Sequence, residues 1–202
     1  MTNWERFTEL LRSTNREGVE SLIDYLDTQT DFKTAPASTK YHGAKEGGLL
    51  EHSLLVYNTM DNIIRSIGAD IPDDSIKICA LLHDISKVNL YEKTSFNKKV
   101  YKPNGTKHDE LGNFDWETTI GYKTVDYENK FIYSNHEATS EFIVRQFIPI
   151  HIEESVAILH HHFAMGYDSI ADKGLVSDVY KRYPIAVFLH VADTIAAFYN
   201  QI

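Results

Sequence analysis

Apolar residues recur at intervals of three and four through most of the chain, and that period predicts helices. Trp4, Phe7, Leu10 and Leu11, then Val19, Leu22, Ile23 and Leu26, keep this spacing on either side of Gly18. Two short amphipathic helices are therefore expected over about residues 3–28. Pro36 puts 34–39 in a loop, and Gly47-Gly48 marks the entry to a helix over 49–66, ended by Gly68 and Pro72. A helix over 73–87 comes next, with Asp73 or Asp74 as the residue whose carboxylate caps its first turn. Further helices are expected over 137–147, 152–161 and 184–200, punctuated by Pro149 and Pro184.

Residues 89–133 break this period and alternate aromatic, charged and glycine-containing turns. Asn104-Gly105 is a hairpin signal, and 122–127 has the β-branched and aromatic makeup of a strand. The pattern as a whole predicts a mostly α fold with a small β-hairpin insertion at about 91–133, in one domain over 1–202 whose first 40 residues form an outer helical layer.

Composition narrows the function. A chain of 202 residues, 43% of them hydrophobic, suffices for one substantial core. Twenty basic against 29 acidic residues give a formal charge of -9, which repels a long polyanion and favours a small phosphate compound over long nucleic acid. The single cysteine, Cys79, lies in an apolar run and reads as a core residue of a protein in a reducing, cytoplasmic compartment. The opening MTNWERFTELLRS lacks the features of a signal peptide, and no apolar run approaches the roughly 20 residues that span a bilayer, so no membrane partner is expected.

Histidine changes the picture: there are ten, three of them consecutive at His160, His161 and His162. Ile76, Ala80 and His83 share one helical face, and Asp84 follows His83 beside apolar neighbours. A carboxylate buried there costs several kcal/mol unless it is paired or bound to a metal. Alone, a His-Asp pair reads as chance or as a capped helix end. His52 shares the inward face of Leu49, Val56 and Met60, as a ligand or as a core histidine. In YPIAVFLHVADTIAAFY the only ionisable residues of the His, Asp, Glu, Lys and Arg set are His190 and Asp193, and a helix so apolar all round is buried. Asp193 then needs a cation from elsewhere. Two imidazoles, from His52 and His83, with two carboxylates, from Asp84 and Asp193, form a borderline ligand set suited to manganese, iron, cobalt, nickel or zinc rather than magnesium.

This ordered set resembles the HD superfamily of metal-dependent phosphohydrolases, in which a histidine, a later His-Asp pair and a distant aspartate recur. His52, His83-Asp84 and Asp193 match it over about residues 41–200, and GGLLEHSLLV and ALLHDISK look like segments of the exoribonuclease and HD-GYP phosphodiesterase branches. The resemblance implies an HD helical bundle over 41–200 and one or two divalent transition ions. It also implies the two-metal pattern, with His136 in NHEATSEFI and His160 and His161 in VAILHHHF as the extra histidines. Asp84 would bridge both ions, His52, His83 and Asp193 would complete the first site, and His136 with His161, or His160, would hold the second. Two ions about 3.5–4 Å apart acidify a bridging water and clamp a phosphoryl oxygen. Lys87 matches the lysine of HD-x-x-K, where a cation offsets charge developing on phosphate; a solvent-facing lysine near a helix end is the other reading.

Ser86 replaces a glycine common in that string, and the GYP tripeptide is absent, with Gly166-Tyr167-Asp168 a partial echo. Gly48 stands where some relatives place a carboxylate four residues before the first histidine, so a third metal is not expected. His42 and His162 are reserve ligands, and His190, one turn before Asp193, is placed to orient a ligand by a hydrogen bond. His108, His151 and Glu51 read as surface residues.

The implied activity is hydrolysis of a small nucleotide-like phosphate ester, as a phosphomonoesterase or phosphodiesterase using a metal-activated water. Tyr91, Phe96, Tyr101, Phe114, Trp116 and Tyr122 of the insertion would either lid the site and stack on a base or pack a hydrophobic hairpin against the helices. Two alternatives remain: a short-oligonucleotide exonuclease with Lys98, Lys99, Lys102 and Lys107 as its basic edge, and a catalytically silent nucleotide sensor, against which the intact ligand set argues.

Overall fold

Thr2 caps the first helix, accepting from the Glu5 amide while the Glu5 carboxylate accepts from the Thr2 amide, and α1 (Asn3–Arg12) and α2 (Val19–Thr28) follow at the expected places. The computed structural model describes residues 1–131, 133–162 and 170–199. The long helix α3 (Gly48–Ile67) comes next, then α4 (Asp73–Leu82), α5 (His136–Phe147), α6 (Ile152–Leu159), α7 (Ile170–Arg182) and α8 (Pro184–Phe198). α3 packs on both α4 and α8, and α6 closes against α8. One cluster of buried side chains runs from Phe7 and Leu11 through Leu22, Met60, Ile78 and Leu81 to Leu189 and Ala196, so the N-terminal helices share the interior of the rest. Cys79 is buried within it and free.

Three local expectations need correction. α4 stops at Leu82, with only a short 3-10 turn (Ile85–Lys87) beyond it, so His83 and Asp84 lie past a helix end. Its N-cap is Pro72; Asp73 and Asp74 instead open the first turn, where Asp73 pairs with Lys77 and Arg65 and Asp74 with Arg16. α7 is a helix that the hydrophobic pattern does not predict, because the apolar and charged residues of IADKGLVSDVYKR do not separate onto two faces.

The insertion is a three-stranded antiparallel sheet of order β1-β3-β2, built from β1 (Tyr91–Tyr101), β2 (Lys107–Asp109) and β3 (Gly112–Thr124). Asn104-Gly105 lies in the link between β1 and β2, which are not neighbours, while Glu110-Leu111 makes the tight β2–β3 turn. β1 pairs with β3 along the whole length of β1, Tyr91 opposite Thr124 and Tyr101 opposite Phe114. A bond from the Val125 amide to the Leu90 carbonyl, 2.9 Å, closes the base, so the insertion leaves and re-enters the helical body at one point. Phe114 is buried at the far end, beneath Tyr101, Trp116 and the Lys99 ammonium.

Two glycines are dictated by backbone. A Cβ on Gly48 would lie 2.0 Å from the Gly43 carbonyl oxygen, so no acidic side chain has room there. Gly68 ends α3 at φ +68° with open space around it, so Gly68→Ala tests conformation alone. A loss of about 1 kcal/mol in urea unfolding is expected, and an unchanged midpoint would contradict it.

Candidate metal centre

Two helix ends build the centre in the same way. Past the end of α4, His83 Nδ1 lies 3.0 Å from the Ala80 carbonyl, which can only accept, so Nδ1 carries the proton and Nε2 is turned inward. Past the end of α6, His161 Nδ1 lies 2.8 Å from the Ile158 carbonyl with the same result. His190 of α8 adds a bond from Nδ1 to the His161 carbonyl, 2.6 Å, which fixes that turn of chain. His52 enters from α3, Asp193 from α8 and His136 from the start of α5.

Asp84 is the hub. Its Oδ2 lies 3.6 Å from His52 Nε2 and 3.4 Å from His83 Nε2, while its Oδ1 lies 3.7 Å from His161 Nε2 and 4.0 Å from His136 Nε2. Asp193 faces the same interior, Oδ1 being 3.0 Å from His52 Nε2 and 3.7 Å from His83 Nε2. Donor atoms converge within 4.8 Å in three groups: His52 with His83 and Asp84, His83 with His161 and Asp193, and His136 with His161 and His162. His160, at the C-cap of α6, joins none of these groups among the described residues, whereas His162 does. His162 Nε2 is 3.2 Å from Asp193 Oδ2. Helical spacing carried through His161 hid this, because α6 ends at Leu159. Of the other histidines, His42 packs its ring 4.9 Å from that of His52, and Gly166-Tyr167-Asp168 lie outside the described residues.

The donors fit a cation. Both ring nitrogens of His52, Nε2 of His83, Oδ1 of Asp84 and Nε2 of His161 are buried without an aligned hydrogen bond. Each such orphan costs on the order of 1–3 kcal/mol, and their convergence is what a divalent ion satisfies. Electrostatics agree. Burial by itself would raise the Asp84 carboxyl, but Lys87 and His83 outweigh it and hold it well below the usual carboxylate range. Burial likewise opposes charge on His83, yet Asp84 and Asp193 push it up to about 10. Burial drives His136 down to about 4, leaving a neutral imidazole.

Lys87 turns inward, its Nζ 2.6 Å from Asp84 Oδ2 and its side chain 12% exposed. Tyr91, at the root of the sheet, is largely buried and lies within the field of Lys87 and Asp84. Farther out, Lys99 is paired with Asp109 at 2.6 Å and Lys102 with Asp115 at 2.9 Å, so half of the expected basic edge is already neutralised.

A family model described as HD domain matches residues 49–197. A dihydroneopterin 2′,3′-cyclic phosphate phosphodiesterase of Methanocaldococcus jannaschii is 34% identical over 95 residues, a stretch covering 45% of this chain and 35% of that relative. The chain thus spans about a third of the relative it matches. No solved structure matches the chain.

Proposed function

The chain belongs to the HD-domain family, and from that premise we propose that it is a metal-dependent phosphohydrolase acting on a small phosphate ester. The observation that carries this reading is the convergence of unsatisfied buried atoms from His52, His83, Asp84 and His161 beside Asp193. One or two divalent ions from the manganese-to-zinc series would be held by His52, His83, Asp84 and Asp193, and by Asp84, His136 and His161. His162 is better placed than His160 to join the second set. Such ions, when bound, supply Lewis-acid charge and lower the pKa of a water.

The chain's own residues do the rest. Asp84 presents one oxygen to each histidine set, which suits a bridging carboxylate. Lys87 carries positive charge to the edge of that carboxylate, where a phosphoryl oxygen gains negative charge. We expect Lys87→Ala to slow turnover about a hundredfold with metal content intact; metal lost in the same variant would make Lys87 a structural support. Substrates to try first are nucleoside phosphates and small cyclic phosphodiesters, the latter suggested by the relative's named substrate. Net charge -9 and paired Lys99 and Lys102 favour these over long nucleic acid. No helix among the described residues is long and apolar enough to cross a membrane, in keeping with the cytoplasmic location we propose.

Elemental analysis coupled to a screen for phosphate release and phosphodiester cleavage tests the reading, with manganese, iron, cobalt and nickel added in turn. Bound metal with hydrolysis of a small ester is the expected result. Failure to take up metal under any loading condition would overturn it.

A further inference from the structure

Glu137 is the second residue of α5, where an acidic side chain is ordinarily explained by the helix N-terminus alone. The carboxylate, however, is turned inward, with its side chain only 14% exposed. Its Oε2 lies 3.2 Å from His136 Nδ1, and its Oε1 lies 3.3 Å from His162 Nδ1. Neither partner is a lysine or arginine; both are imidazoles whose opposite nitrogens face the metal centre. His136 Nε2 is 4.0 Å from Asp84 Oδ1, and His162 Nε2 is 3.2 Å from Asp193 Oδ2.

We propose that Glu137 is the positioning residue of the second metal site, one carboxylate setting the tautomer and tilt of His136 and His162 together. A carboxylate only accepts, so both Nδ1 atoms carry protons, which makes the Nε2 atoms the ones to turn to a metal. The 2.8 Å approach of His162 Nδ1 to His136 Nε2 needs a donor on His162 and an acceptor on His136, in agreement with these tautomers, and a metal at His136 Nε2 would take the place of that bond. Asn135 starts the helix on which Glu137 stands, its side chain accepting from the Ala138 amide. Asp84 and Asp193 join the two ligand sets within the buried interior, and Glu137 joins two of the same histidines from its rim.

The inference rests on the metal reading above, and the test separates the two. Chelator-treated protein is titrated with cobalt(II), followed by its ligand-field absorption and by elemental analysis, for the wild type, Glu137→Ala and Glu137→Gln. The wild type should bind two equivalents. Glu137→Ala should bind the first as before and the second about 10- to 100-fold more weakly. Glu137→Gln, which keeps an acceptor oxygen, should recover part of the loss. Nitrogen-15 NMR of the metal-free protein supplies a readout independent of loading: the proton of His136 should reside on Nδ1 in the wild type and distribute over both nitrogens in Glu137→Ala. Wild-type affinity for both equivalents in Glu137→Ala, or an unchanged tautomer, overturns the positioning role. A glutamine variant as damaged as the alanine one also overturns it, by making Glu137 a ligand. If the wild type binds no cobalt, the metal reading itself fails. Should Glu137→Ala not fold, the nearly isosteric Glu137→Gln still decides through the NMR measurement, where an unchanged His162 and His136 would again overturn the role.

Discussion

Replacing Asp84 with alanine should reduce phosphate-ester hydrolysis to background and strip the protein of metal, from roughly two ions per chain to none. Asp84 divides its two oxygens between the histidine sets: Oδ2 looks to His52 and His83 and Oδ1 to His161 and His136. Removing it also leaves the ammonium of Lys87 without the carboxylate 2.6 Å away. His136→Ala, by contrast, should weaken only one of the two sites. Elemental analysis and the ester-hydrolysis assay on both variants check this pair. Activity retained by Asp84→Ala would rule out the hub role and with it the two-site arrangement.

The largest effect on stability is expected at a distance from the chemistry. Glu154, fully buried on α6, receives two hydrogen bonds from Arg16, at 2.6 and 3.3 Å, another from Ser75 at 2.6 Å and the His151 amide at 2.8 Å. Arg16 also reaches Asp74 and the Pro149 carbonyl, so one guanidinium ties the α1–α2 link to α4 and to the α5–α6 link. Arg16→Ala strands a buried carboxylate and should cost about 3–5 kcal/mol, lowering Tm by about 10 °C. Adding Glu154→Gln should recover part of the loss, because the stranded charge is then gone. Thermal and urea unfolding of the single and double variants test this; a single variant within about 1 kcal/mol of the wild type would show that water reaches Glu154.

The sequence made some of this arrangement legible and hid the rest for physical reasons. α3 could be read because its apolar residues repeat at the helical period, and α8 because it is apolar all round, and that placed His52 and Asp193 inside. The end of α4 could not, since KICALLHDISK keeps its apolar spacing beyond Leu82, where the chain has already left the helix. The same limit concealed His162: once α6 ends, spacing says nothing about where consecutive histidines point. Glu137 was hidden by its ordinariness, because first-turn glutamates are common. The sheet's composition was readable, but its order was not, because Asn104-Gly105 gives a hairpin signal in a link between strands that do not pair.

The bond between Val125 and Leu90 gives the sheet a different significance from that of a lid. A segment that starts and finishes at one spot, with its own aromatic cluster around Phe114 at the far end, makes few demands on the body that carries it. None of the histidines and aspartates proposed as ligands lies within it. A block exchange of residues 91–124 therefore leaves every proposed metal ligand where it stands, and such a chimera should still take up metal.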